Sequence, residues 1–167
     1  MVQNSQEVVK IIDNLRKAFQ AVNEYSKKAE GRTGLTGPQL WTIKVVADFS
    51  SIKVSDLARR IYLHPATVVG IIDRLEAKGF VSRVRSSEDR RVVWVKLTRQ
   101  GEELISKAPE VAQGLLVPGL EVLPTAKRRA IGKGLSHLVK ILKAQSLPPK
   151  LMFSNEVNEP KKQREKS

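Results

Sequence analysis

The sequence contains no cysteine, two histidines and few aromatic residues, which make up 5% of its 167 positions. The absence of cysteine excludes disulfides, thiolate zinc sites and thiol-based redox switches. No apolar run reaches the roughly 18 residues needed to span a membrane. Residues 1–7 lack the basic start and apolar centre of a secretory signal. From these absences we expect a cytoplasmic protein with no membrane partner.

Motifs of catalysis are missing as well. The chain has His64 and His137, but no carboxylates cluster with the spacing of metal ligands or of an acid–base pair. No glycine-rich phosphate loop follows a predicted strand. The sequence therefore predicts a protein that is not an enzyme and that has no cofactor and no metal site.

Acidic residues are scarce relative to basic ones. Thirty Lys and Arg against seventeen Asp and Glu give a net charge of +13 and a pI near 10.2. Such a field attracts polyanions, either nucleic acid or an anionic membrane surface. Residues 53–99 carry eleven basic and five acidic residues, nearly half of the net charge. This concentration indicates that residues 53–99 bind the polyanion.

Narrow apolar stripes flank this basic segment. They predict helices that need a partner, because the apolar residues recur at alternating steps of about three and four. The first stripe, on a helix over about residues 4–29, is Val8, Ile12, Leu15, Phe19 and Val22; the later ones are Leu104, Ala108, Val111, Leu115 and then Ile131, Leu135, Leu138, Leu142. Between the two later stripes, Pro118 and Pro124 predict a kink or break, and Thr125 is predicted to cap the restart.

Helix-end signals divide the chain between these stripes. Residues 31–34 end the first helix, and the next begins with Thr36 as N-cap and Gln39 completing a capping box. A short helix over residues 54–61 follows, with Ser55 as its predicted N-cap. Residues 62–64 form a turn, Pro65 opens another helix, and Gly79 ends it in a left-handed conformation.

The helix after Pro65 has the pattern of a helix that enters a DNA groove. Its inward face is apolar, and its outward face is small near the N-terminus, so it can approach the bases of a major groove without collision. The outward residues are predicted to be Ala66, Thr67, Gly70, Asp73, Arg74 and Ala77.

The following residues predict a wing. Residues 80–85 and 92–97 are β-rich, and the six-residue loop between them is polar. Arg90 and Arg91 at its tip are suited to the negative potential of a minor groove, with Asp89 orienting one of them. The alternative is an ordinary solvated loop.

Together these motifs resemble the MarR (multiple-antibiotic-resistance regulator) family, specifically over residues 36–105 and loosely over 8–145. The resemblance is carried by Leu57-Ala58, the apolar residues of 68–75, Leu75-Glu76-Ala77-Lys78-Gly79-Phe80-Val81, Asp89-Arg90-Arg91 and Leu97-Thr98-Arg99-Gln100-Gly101. It implies a mainly α fold with a small β-wing, a winged helix-turn-helix core flanked by N- and C-terminal dimerisation helices. The implied units are residues 1–35 and 99–147 for dimerisation, 36–98 for DNA binding, and 148–167 as a disordered basic tail.

The family resemblance implies a homodimeric transcription regulator, most often a repressor, that binds a palindromic duplex. Each subunit places one helix in a major groove and one wing in a minor groove. Many relatives also bind small aromatic or phenolic anions, which lower DNA affinity. The resemblance therefore leaves open whether this chain binds such an effector. The DNA-binding residues carried over are Ser55, His64, Ala66, Thr67, Arg74, Arg85, Arg90 and Arg91; those for dimerisation are Val8, Ile12, Leu15, Phe19, Leu135, Leu138 and Leu142.

The sequence also departs from the family and leaves alternatives open. Pro109, Gly114, Pro118 and Gly119 interrupt the usual long dimer helix, and the lack of cysteine excludes the thiol-based peroxide sensors. His64 is interpreted both as a helix cap and as a DNA contact, and Trp41 and Trp94 as core residues. The alternative functions are a non-specific architectural or RNA-associated basic protein, and a protein-interaction adaptor.

Overall fold

The computed structural model describes residues 2–89, 91–152, 154 and 158. In this part of the chain the elements are α1 (Val2–Thr33), α2 (Gly37–Ala47), β1 (Ile52–Lys53), α3 (Val54–Arg60), α4 (Pro65–Ala77), β2 (Val81–Arg85), β3 (Val93–Leu97), α5 (Arg99–Ser106), α6 (Ala112–Glu121) and α7 (Thr125–Ile141). The predicted fold class, mainly helical with a small β-wing, is confirmed. Among the described helices, none combines the length and the apolar content needed to cross a membrane.

The strands form one antiparallel sheet in the order β1-β3-β2. In the hairpin of β2 and β3, Val81 pairs with Leu97 and Arg85 with Val93, which sets the wing loop beyond Arg85. Strand β1, which pairs Ile52 with Val95, was not predicted. Two residues are too few to show the alternation by which a strand is recognised in a sequence.

The core lies between helices α2, α3 and α4 and strand β3. Its fully buried side chains include Leu40, Ile43, Leu57, Ile71, Leu75 and Val95. Burying each aliphatic side chain of this size contributes about 1.5–3 kcal/mol. Because α4 is held by Val68, Ile71, Ile72 and Leu75 along one side, its opposite side is fixed toward solvent.

The predicted ends of the helices are confirmed, with three corrections. Gln39 accepts the Thr36 N–H at 3.3 Å, as a capping box requires, and Gly79 has a φ of +77°. Ser55, however, is not an N-cap: α3 begins at Val54 and Lys53 is its N-cap. The reason is that Lys53 pairs with Trp94 in the sheet, so the chain passes directly from strand to helix. Helix α1 runs through Gly31 to Thr33 and ends at Gly34, and Thr125 is the first residue of α7, not its cap.

The C-terminal helices differ most from the prediction. The stripe of residues 104–115 is divided between α5 and α6, because the chain leaves the helix after Ser106 near the buried Pro109. Pro118 lies inside α6 instead of ending it. Helix α6 packs against α1 and α2, and tertiary packing of this kind offsets the one main-chain hydrogen bond that a proline removes.

The segment after Leu147 is not wholly a tail. Leu151 packs against the core, the Asn158 N–H donates to the Pro149 carbonyl at 2.9 Å, and Asn158 Oδ1 accepts the His64 N–H at 2.7 Å. This differs from the disorder predicted to begin at residue 148. The remaining positions of that prediction, residues 153, 155–157 and 159–167, lie outside the described residues.

Candidate nucleic-acid interface

The N-terminus of α4 is capped by the His64 side chain and contacted by Asn158, whose Oδ1 accepts the His64 N–H. His64 is the N-cap, and its Nδ1 accepts the Ala66 N–H at 3.2 Å. Pro65 has no N–H to satisfy, and Ala66 adds a single methyl group. The positive end of the helix dipole at this point favours an anion. The helix dipole at the start of α4 therefore favours a phosphate, which would replace Asn158 as the acceptor of the His64 N–H.

The outward face of α4 is narrower than predicted. Asp73, Arg74 and Ala77 are exposed, and Ala66 and Gly70 are half-buried. Thr67 is 9% exposed, so the prediction that it faces outward is wrong. It lies one turn before the fully buried Ile71, at the edge of the apolar face, where α4 meets the rest of the domain. The side chain of Thr67 is thereby withdrawn from a groove.

Arg83, which the sequence analysis missed, fixes the wing to α4. Its Nε donates to Glu76 Oε2 at 2.8 Å, its Nη1 to Asp73 Oδ1 at 2.6 Å, and its main-chain N–H to Glu76 Oε1 at 3.0 Å. The hydrogen bond from Arg83 lowers the pKa of Glu76, and the bond to Glu76 in turn raises the pKa of Arg83. The i, i+3 spacing of Asp73 and Glu76 indicates two carboxylates on one side of α4. Their partner, Arg83, could not be identified without the register of the strands.

The wing loop is held by short-range hydrogen bonds. Ser86 Oγ accepts the Glu88 N–H at 3.2 Å, and Asp89 Oδ1 accepts the Arg91 N–H at 2.9 Å and its Nε at 3.4 Å. The Arg91 side chain is nevertheless 94% exposed. Arg85 is exposed at the end of β2. Arg90 lies outside the described residues.

A groove of about 470 Å³ runs between the helix-turn-helix and the wing. It is lined by Ser55 at the start of α3, Pro65 and Val69 on α4, and Arg83 and Arg91 of the wing, with Lys53 at its edge. Of the predicted DNA-binding residues, Ser55 and Arg91 line this groove, and His64 and Ala66 flank Pro65. Arg74 and Arg85 do not line it. Three basic residues, Lys53, Arg83 and Arg91, thus share one surface with the α4 N-terminus.

A second cavity, of about 530 Å³, lies on the other side of α3. Two aromatic residues, three cations and two carboxylates line it. Lys53 Nζ is 5.3 Å from the Trp94 ring centre and Arg60 is 4.6 Å from that of Phe49, whereas Arg59 is paired with Asp56. Trp41 packs against the core as expected. Trp94 is instead half-buried and faces this cavity, because the edge pairing with Lys53 holds it at the rim.

A hydrogen bond links this cavity to the turn of the helix-turn-helix. Tyr62 has a φ of +55° in the turn, and its hydroxyl donates to Glu121 Oε1 at 2.6 Å. Glu121 ends α6 and lines the cavity. The same hydrogen bond raises the pKa of Tyr62. Glu121 thus contacts both the cavity and the turn just before α4.

The residues predicted for dimerisation form two apolar surfaces. Val8, Ile12 and Phe19 of α1 are exposed, and Leu15 is half-buried. Leu135 and Leu142 are exposed at α7 and its C-terminal end, where Leu138 is half-buried, and no described residue of α7 is buried. Exposed apolar stripes of this length are typical of surfaces that a partner covers.

The chain matches the profile of the MarR family over residues 35–93. It is 34% identical over 105 residues to the uncharacterized HTH-type transcriptional regulator YfiV of Bacillus subtilis, covering 63% of this chain and 66% of YfiV. Two further B. subtilis relatives are the HTH-type transcriptional repressor MdtR, 32% identical over 53% of this chain and 57% of MdtR, and the uncharacterized regulator YdgJ, 31% identical over 68% of this chain and 70% of YdgJ. The chain thus spans less than two thirds of the lengths of YfiV and MdtR and 70% of the length of YdgJ.

Solved structures share the fold. The Bordetella bronchiseptica regulator BpsR, whose DNA binding is regulated by 6-hydroxynicotinic acid, has a TM-score of 0.52 and 26% identity over 75% of this chain and 90% of BpsR. A mutant of E. coli MarR complexed with operator DNA has a TM-score of 0.53 and 20% identity over 81% of this chain and 95% of that one, a likeness of fold alone. With the profile match and the curated relatives, these findings show that the chain belongs to the MarR family of transcription regulators, which are not enzymes.

Proposed function

We propose that the protein is a cytoplasmic, sequence-specific regulator that binds duplex DNA as a homodimer and represses transcription at a palindromic operator. The observation that carries the proposal is the groove in which the start of α3, the start of α4 and Arg91 meet. A major-groove helix and a minor-groove wing must act on one continuous surface of the protein, and this groove provides it. MdtR, a relative named as a repressor, supports the direction of regulation.

Each group on this surface has a defined part in the proposed complex. The exposed side of α4, from Ala66 to Arg74, enters the major groove, where the arginine reads a base edge or a phosphate. His64 lies at the start of α4, where the helix dipole favours phosphate, and Ser55 lies in the first turn of α3 beside the groove. Arg85, Arg90 and Arg91 contact the minor groove or its phosphates. Thr67 has no part, because its side chain is buried.

The proposed dimer joins the apolar surfaces of α1 and α7 from two copies. In it the two α4 helices read half-sites about one helical turn apart, roughly 34–36 Å. The double variant Leu135→Glu, Leu142→Glu places charges on the apolar side of α7, and we expect monomers in analytical ultracentrifugation. Lys133→Glu, a substitution on the opposite side of the same helix, is the control and should leave the dimer intact. A wild-type protein that sediments as a monomer would contradict the dimer.

Selection of bound fragments from genomic DNA, followed by footprinting, tests sequence-specific binding. We expect two protected half-sites related by a twofold axis. Arg91→Ala should lower operator affinity by about 10-fold or more, because a base or groove contact contributes about 1–3 kcal/mol. The control, Arg32→Ala, removes the same charge at the end of α1 and should change little. A uniform affinity for all sequences that falls steeply with salt would favour a non-specific architectural protein instead.

We also propose that an aromatic anion regulates this binding from the cavity near Trp94. The cavity offers aromatic faces and the cations Lys53, Arg59 and Arg60, and BpsR is regulated by an aromatic acid. Titration with a panel of aromatic carboxylates should quench Trp94 fluorescence and release the operator. Arg60→Gln should weaken both effects together, whereas Lys107→Gln, just after α5, should change neither. Operator release that persists in Arg60→Gln would place the effector elsewhere.

A further inference from the structure

The net charge of the chain resides in two separate segments. Residues 53–99, which contain the helix-turn-helix and wing, contribute +6. Residues 122–152 contain seven Lys and Arg and no Asp or Glu, and contribute +7. The rest of the chain is neutral in sum. The second segment is mainly α7, so the proposed interface with an operator accounts for only half of the charge.

The cations of α7 are ordered on one side. At about 100° per residue, Arg129, Lys133 and Lys140 fall within about 40° of one another, opposite the apolar side of Ile131, Leu135 and Leu138. We call these three residues the outer stripe. All three are exposed, and none forms an ion pair with another described residue. Gly132 and Ser136, between them, add no apolar side chain.

Helix α1 differs from α7 in the charge of its solvent-facing side. Its cations Lys10, Lys17 and Lys28 also lie opposite an apolar stripe, within a similar angle. There, however, Asp13 and Glu24 share the same side of the helix, and Asp13 pairs with Arg16. The solvent side of α1 is therefore close to neutral, whereas that of α7 is uniformly positive.

We propose that the outer stripe of α7 binds the phosphate backbone of a second duplex, so that one dimer joins two DNA segments. The first duplex and the dimer rest on the proposed function, whereas the charge and the exposure of the outer stripe do not. The stripe extends for about 16 Å, along which a duplex presents about ten phosphates. In the proposed dimer the apolar sides of α7 face each other, which turns two outer stripes outward.

The chemistry of the stripe favours nucleic acid over a membrane. A basic helix lies on a lipid surface by inserting its apolar side among the acyl chains. In the proposed dimer that side is covered by the second copy, and the stripe itself offers only charged, small and polar residues. Backbone phosphates require no insertion. Three contacts predict an affinity for the second duplex that falls about 40-fold between 50 and 200 mM salt.

A co-capture assay tests this proposal. One short random duplex is immobilised, the full-length protein is bound to it, and a second, fluorescent random duplex is added. We compare the stripe variant Arg129→Gln, Lys133→Gln, Lys140→Gln with the matched α1 variant Lys10→Gln, Lys17→Gln, Lys28→Gln, which loses equal charge. The variant Lys133→Arg, Lys140→Arg retains the charge of the stripe. Thermal melting and sedimentation establish that each variant is folded and dimeric.

We expect the wild type, the α1 variant and the arginine variant to recruit the second duplex, and the stripe variant to recruit at least 10-fold less while binding the first duplex normally. Equal recruitment by the stripe and α1 variants would overturn the proposal. So would wild-type binding to phosphatidylserine vesicles without recruitment of a second duplex. If the proposed operator function alone fails, Arg91→Ala leaves sequence preference unchanged, but the stripe variant still loses recruitment.

Discussion

Removal of the Arg83 guanidinium should loosen the wing from α4 by an amount that a double-mutant cycle can measure. Arg83 and Glu76 are each about one-third exposed and Asp73 about one-half, so solvent screens both pairs. Exposed pairs contribute about 0.2–1 kcal/mol each. With the two-point contact to Glu76, we expect a coupling energy of about 1 kcal/mol for Arg83 with Glu76 and about 0.5 kcal/mol for Arg83 with Asp73.

The assay is urea unfolding of Arg83→Met, Glu76→Gln and the double variant, all at one protein concentration because the stability of the proposed dimer would depend on it. The pKa of Glu76 is lowered by Arg83 from the ordinary 4.5. The coupling is therefore complete above that value and is lost as the pH falls through the lowered pKa of the folded state. Arg85→Met, two residues along the same strand, is the control. A coupling near zero at neutral pH, or one that persists unchanged in acid, would refute this account of the wing.

Three further predictions concern single positions. In Gly101→Ala the new Cβ would lie 2.1 Å from the Phe80 carbonyl oxygen, so the free energy of unfolding measured in urea should fall by about 3 kcal/mol or more. In the control Gly119→Ala, which is in open space on α6, it should rise by about 0.5–1 kcal/mol. Equal effects of the two substitutions would contradict the close contact at Gly101. His64→Ala should lower the free energy of unfolding by about 1 kcal/mol through loss of the α4 cap, seen as a lower melting temperature. His64→Asn should restore the melting temperature, and no recovery would show that Nδ1 does not cap the helix. In a spectrophotometric titration Tyr62 should ionise above the ordinary pKa of 10.0 because it donates to Glu121; Glu121→Gln should lower that value, and an unchanged titration would show that the hydrogen bond does not form.

The sequence predicted those parts of the fold that depend on local signals. Pro65, Gly79 and the alternation in residues 80–97 each act through the conformation of their own neighbours. Helix α4 and the wing hairpin were therefore located to within a residue or so. Ser55 and Thr67 were misplaced because their environments depend on distant segments. The pairing of Lys53 with Trp94 sets the start of α3, and packing along α4 decides how far Thr67 is covered.

Interactions between elements were the least accessible to sequence reasoning. The contacts of Arg83 with α4 and of Tyr62 with α6 join residues whose proximity depends on strand register and on the path of α6. The predicted interruption from Pro118 and Pro124 falls at residues 122–124, where Pro124 is the N-cap of α7, whereas Pro118 is accommodated inside α6, which packs on α1 and α2. The charge of α7 was visible in the composition, but its restriction to one side becomes meaningful only when the helix is seen to bury none of its described residues.

The division between α5 and α6 bears on how the two reading heads of a dimer are spaced. A continuous helix over residues 99–121 would be a rod about 34 Å long, and any rotation at its far end would turn the wing rigidly with it. Here α5 is fastened to β3 and α2, and α6 to α1 and α2, with a non-helical joint at residues 107–111 between them. Because both helices pack on α2 and Val111 in the joint is fully buried, the angle between α5 and α6 is fixed by the core. We therefore expect the proposed dimer to hold its two α4 helices at one separation and to lose affinity for an operator whose half-sites are moved apart by one base pair.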